Sequence, residues 1–164
     1  MRKYLFYSFL YISISCAQDK SIEITRDDFI LHYPSDLVLD ESGQEGAIFI
    51  LKTEQEEEND SFIENLNLVT KEIENISFDD FAAKTEKEIG DIAKIEKSEI
   101  LNIDGNDCLR LNFELSQNGI LLKFIQHYYI QKGKVYILTF SSEKDAYDKY
   151  YDSMNKVLMS FRLK

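Results

Sequence analysis

Cysteine is scarce in this 164-residue chain, with only Cys16 and Cys108, and histidine equally so, with only His32 and His127. Four such residues at these separations match no zinc-ligand spacing, so a structural zinc site is not expected. There is no apolar run of the ~20 residues that a bilayer-spanning helix needs. Basic residues are outnumbered, 19 against 30 acids, for a formal charge of −11. Nonspecific binding to a nucleic acid backbone is therefore not expected, and an anionic lipid surface should repel the molecule as a whole. The sequence also lacks internal repeats, low-complexity linkers, a P-loop, a nucleophile elbow and a metal-binding histidine pair. Paired acids are abundant, but chance supplies them at this acid content. No catalytic residue, cofactor or metal ligand is assigned.

Apolar residues are plentiful at 44%, with 10 Tyr and 11 Phe, enough to bury a core, and the length suits one domain. The N-terminus is built differently from the rest. Arg2 and Lys3 precede an uncharged apolar stretch, YLFYSFLYISI, at residues 4–14, the layout of an export signal. Ser13-Ile14-Ser15-Cys16 is similar to a bacterial lipobox, although Ser13 stands where Leu is favoured. The expected arrangement is a lipoprotein-type signal over residues 1–16, a short tether over 17–20 and one domain over 21–164. Cys16 would then carry the lipid, palmitate included, and hold the protein at a membrane. Ala17 in place of Asp after the cysteine favours the outer membrane of a Gram-negative cell, facing the periplasm or the cell surface. Cleavage after Ala17, giving an unanchored periplasmic or secreted protein, is the alternative. Either way the mature chain keeps one thiol outside the lipid, so no internal disulfide can form. Removing Arg2 and Lys3 takes the charge to −13.

Hydrophobic alternation predicts strands at residues 22–24, 29–33, 47–53 and 62–70, the second stopped by Pro34. Residues 54–60 (EQEEEND) are too acidic for a core. Ser77 with Asp80 reads as a capping box starting a helix, with Phe78, Phe81, Ala82, Thr85 and Ile89 on one face and Gly90 as its stop. Asp104-Gly105, Asn118-Gly119 and Lys132-Gly133 punctuate β-rich runs and predict a four-stranded antiparallel meander from about residue 97 to 141. In its second strand Leu109, Leu111, Phe113 and Leu115 should face the core. Cys108, Arg110, Asn112 and Glu114 should face outward, and both histidines should lie near the sheet surface. The next two strands are apolar on both faces, which predicts helices on both sides of the sheet. A final helix should be capped by Ser142, Glu143 and Asp145, with Ala146, Tyr147, Tyr150, Met154, Val157, Leu158 and Phe161 as its buried stripe.

This order of elements resembles the PsbP-like domain family. Phe29-Ile30-Leu31-His32-Tyr33-Pro34-Ser35-Asp36 is similar to the family's opening strand, Glu64-Asn65-Leu66-Asn67-Leu68 to a central strand, and Ile103-Asp104-Gly105 and the run from Lys132 to Phe140 to its meander. The pairs Tyr147-Asp148-Lys149-Tyr150 and Ser160-Phe161 close the pattern. Leu37 departs from it, since the family often has Trp there. The resemblance implies an α+β fold, a central antiparallel sheet between helices. It also implies binding and assembly roles like those of relatives, which include a photosystem II subunit, a nuclear-import factor and bacterial lipoproteins.

The functional expectation is a non-catalytic binding or assembly protein of the bacterial cell envelope, with an envelope hydrolase as the alternative. The membrane, through Cys16, and an unidentified protein or envelope component are the expected partners. Glu54, Glu56, Glu57, Glu58 and Asp60, the loop over 40–46 and any exposed tyrosine among Tyr128, Tyr129, Tyr147, Tyr150 and Tyr151 are the candidate contact surface. The oxygen-rich segments 54–60 and 104–107 leave weak calcium binding as an alternative, without matching an EF-hand.

Overall fold

Asn118 and Gly119 both adopt left-handed backbone conformations, φ 53° and 84°, which a two-residue type I′ hairpin turn requires. Asp104-Gly105 and Lys132-Gly133 do the same, so three tight hairpins join β6 (Lys94–Ile103), β7 (Asn106–Gln117), β8 (Ile120–Gln131) and β9 (Lys134–Glu143). This is the expected meander. The computed structural model describes residues 20–55 and 62–164. Cys16, Glu56, Glu57, Glu58 and Asp60 lie outside the described residues.

Before the meander come β1 (Ser21–Thr25), β2 (Phe29–Pro34), β3 (Val38–Asp40), β4 (Phe49–Lys52), β5 (Asn65–Glu72) and helix α1 (Phe78–Gly90). After it come helix α2 (Tyr147–Ser160) and β10 (Arg162–Leu163). Seven strands form one antiparallel sheet in the order β3-β4-β5-β9-β8-β7-β6, and β1-β2-β10 form a second, smaller one. The large sheet is covered on both faces, as its two-sided apolar central strands require. On one face α1 packs Phe78, Phe81, Ala82 and Ile89 against Leu109, Leu111, Phe113, Tyr128 and Val135. On the other, α2 and the small sheet bury Phe29, Leu31, Met154, Val157, Leu158 and Phe161 against Leu66, Leu68, Ile125, Tyr129, Tyr136, Leu138 and Phe140. Phe161 centres this core, its ring 5.4 Å from Phe29 and 5.1 Å from Tyr129.

Ser77 caps α1 as expected, its Oγ accepting from the Asp80 amide at 3.1 Å and donating to the Asp80 carboxylate at 2.7 Å. Helix α1 ends at Gly90 as expected, though in right-handed rather than left-handed backbone, and the chain leaves by turning the amides of Ile92 and Ala93 onto the Ile89 carbonyl. Another local expectation needs correction. At α2, Ser142 and Glu143 remain in β9, and the helix starts after Ala146 with no side-chain cap. Their capping capacity is used elsewhere: Ser142 Oγ and the Glu143 amide each donate at 3.3 Å to the Glu64 carboxylate. The outward face assigned to β7 is also revised. Cys108 and Arg110 are buried and Asn112 and Glu114 half-buried, because α2 returns over that face.

Candidate functional site

Beneath α2 lies a buried polar cluster drawn from four elements. Register places Arg110 of β7 opposite His127 of β8. Arg110 Nη1 donates to the Asn155 side-chain carbonyl of α2 at 2.7 Å and approaches His127 Nε2 at 3.4 Å. Its Nε donates to Asn112 Oδ1 at 3.2 Å and lies 3.6 Å from Glu99 of β6. A guanidinium only donates, so Nε2 of His127 is the acceptor and the ring proton sits on Nδ1. Burial, and then the Arg110 charge, lower the His127 pKa to about 3, so the ring is neutral at physiological pH. His127 was expected near the sheet surface; it is fully buried because the face it points to is the one α2 covers. Its neighbour Cys108 is equally buried, and desolvation pushes the thiol up to about 12. A thiol held protonated is a poor nucleophile. His32 is exposed on β2, as expected, 3.7 Å from Glu23.

The accessible surface lies on the other side of the helix. Lys149, Ser153 and Lys156 recur at helical spacing along the exposed side of α2. A groove of about 430 Å³ separates them from the β1–β2 hairpin, where Lys20, His32, Tyr33 and Pro34 form the opposite wall. Ser160 fixes its end: its Oγ accepts from the His32 amide at 2.9 Å and donates toward the His32 carbonyl at 2.8 Å. A second groove of about 700 Å³ runs along the other flank of α2, between Tyr150 and Met154 on one side and Asp36, Leu37, Thr53 and Glu54 on the other. Lys149 and Ser153 line both grooves and form the ridge between them.

Of the contact surface expected from sequence, Glu54 borders the second groove, so the acidic segment leaves the described chain beside α2. Tyr150 borders the same groove and is half-buried, as is Tyr151, whereas Tyr128, Tyr129 and Tyr147 are core residues. The loop after β3 is exposed over residues 41–46. The oxygen-rich 104–107 segment is the β6–β7 turn, closed by Asn102, which accepts from the Gly105 amide and donates to Asp107. Among the described residues no three His, Cys, Asp or Glu side chains converge as a metal site. The basic groove was missed. Its only sequence signal is the seven-residue spacing of Lys149 and Lys156, and Lys20 joins them through topology alone.

Comparison with solved structures defines the fold. The cyanobacterial PsbP (CyanoP) of Synechocystis sp. PCC 6803 superposes with a TM-score of 0.64 over 94% of this chain and 99% of its own, at 16% identity. LpqN, involved in cell envelope biogenesis of Mycobacterium tuberculosis, gives 0.61 over 88% of this chain and 91% of its own, at 15% identity. PA94, a Pseudomonas aeruginosa protein of unknown function, gives 0.60 over 85% and 94%, at 14% identity. No protein-family model matches the chain, and no curated protein is similar to it in sequence. The fold is PsbP-like: an α+β architecture with an antiparallel sheet between helices.

Proposed function

We propose that the protein is an exported, lipid-anchored component of a bacterial cell envelope that binds a macromolecular partner through the surface around α2 and catalyses no reaction. The observation that carries this reading is where the reactive and the accessible groups lie. His127, Cys108 and Arg110 are sealed under α2, while the open grooves beside it present lysines, a tyrosine and a glutamate. A catalytic base or nucleophile must reach its substrate. Binding needs only an accessible surface of suitable shape and charge. The likeness to LpqN, a protein of cell envelope biogenesis, supports an envelope role. The segment ending in Cys16 supports export with lipidation at that residue. Anchoring would raise the effective concentration of the domain near partners at the same membrane.

The test is a photo-crosslinking residue at Ser153, on the ridge between the grooves, with a control at Lys84 on α1. In intact envelopes, Ser153 should yield a discrete adduct that Lys84 does not. Reproducible turnover by the purified protein in an esterase, phosphatase and glycosidase screen, abolished by one point mutation, overturns the non-catalytic reading.

A further inference from the structure

The groove between α2 and the β1–β2 hairpin has the opposite charge to the molecule that carries it. Lys20, Lys149 and Lys156 line it against a single acid, Asp152, in a chain of net charge −11. Neither Lys20 nor Lys156 makes an ion pair with another described residue, whereas Lys52, Lys87, Lys97 and Lys123 each sit within 3.2 Å of a carboxylate oxygen. The groove's floor is Tyr33 and Val157, apolar surface beneath cationic walls. Such a lining suits a phosphate ester carried on a less polar body.

Position supplies the occupant. Lys20 follows Cys16 by four residues. Four residues of fully extended chain reach at most ~14 Å. A lipid on Cys16 would therefore keep Lys20, at the mouth of this groove, within that reach of the bilayer surface. We propose that the groove docks on the headgroups of anionic phospholipids in the leaflet that carries the anchor, through Lys20 and Lys156. The inference rests on the lipid-anchored reading given above.

Net negative charge does not prevent such docking. Screening confines each charge to about 8 Å at physiological ionic strength, so acids on the far side of the domain contribute little at the membrane. Overall repulsion instead selects the orientation in which the basic groove faces the surface. Docked in this way, the domain turns the other flank of α2, with Tyr150, Glu54 and the start of the acidic segment, away from the lipid and toward a partner.

The test attaches the mature chain, starting at Cys16, to vesicles through a maleimide-bearing lipid. Cys108 is fully buried, so coupling is directed to Cys16. Lysine acetylation is then mapped by mass spectrometry on phosphatidylcholine vesicles and on vesicles also containing phosphatidylglycerol. Labelling of Lys20 and Lys156 should fall about fivefold on the anionic vesicles, the ratio corresponding to ~1 kcal/mol per lysine at such a surface. Lys84 and Lys87 on α1 should label equally on both. The double variant Lys20→Glu, Lys156→Glu should lose the protection of Lys149. Equal labelling of Lys20 and Lys156 on the two vesicle types overturns the proposal. So does equal protection by inorganic phosphate on phosphatidylcholine alone, which would make the groove a free-anion site. The chemical anchor makes the outcome independent of whether cells lipidate Cys16, so a failed groove and a failed anchor give separate results.

Discussion

The side chain of Arg110, on strand β7 of the large sheet, donates a 2.7 Å hydrogen bond to Asn155 on α2, 45 residues away in sequence. This bond joins the helix that walls both grooves to the strands beneath it. Arg110 is nearly inaccessible, so its charge depends on the acceptors around it. Asn155→Ala should cost about 1–3 kcal/mol of stability, the range for leaving a buried donor without its partner. Urea unfolding measures it, and a loss well below that range would mean that solvent replaces Asn155.

The neighbouring histidine makes stability depend on pH. His127 has a folded pKa of about 3 against 6.5 for the free side chain. Between those values the unfolded chain binds a proton that the folded chain refuses, so stability falls as pH falls. The slope from this one group should approach about 1.4 kcal/mol per pH unit. The contribution is constant above the unfolded pKa and again below the folded one. His127→Phe should remove one proton's worth of slope between pH 6 and 4. Unchanged slopes in parallel urea titrations would show that His127 takes up its proton while folded.

On the opposite face, Phe113 is buried and its ring stacks on Phe124 at 4.9 Å. Phe113→Ala should cost about 3–5 kcal/mol, as truncation of a core aromatic does. A loss below about 1 kcal/mol in denaturant unfolding would mean that α1 does not seal this face.

The strands and turns were legible because their signals are local. Asn118-Gly119 specifies its turn by backbone stereochemistry alone, and alternation at Leu109, Leu111 and Phe113 marks a buried face. The other face of the same strand was misread for a physical reason. Alternation separates two faces but does not tell what later packs on each. Cys108, Arg110 and His127 look like surface residues until α2 crosses above them. Strands β3 and β10, of three and two residues, are too short to carry a period. The basic groove depends on Lys20 meeting Lys156 across the fold, a juxtaposition no local pattern encodes.

The proposed anchor at Cys16 gives a further outcome in cells. Cys16→Ala should release the protein from the membrane fraction or leave its precursor uncleaved, with no change in the unfolding midpoint of the domain. Retention of a processed Cys16→Ala protein at the membrane would assign the attachment to something other than a lipid on this residue.

The central claim is that the domain works at a membrane surface, tethered just before the groove at Lys20. Its most direct test is the mass of the N-terminal peptide of the protein recovered from native envelopes. The account predicts a mature chain that begins at Cys16 and carries a diacylglyceryl group there. An unmodified N-terminus at Gln18, with no lipid on the chain, would contradict it.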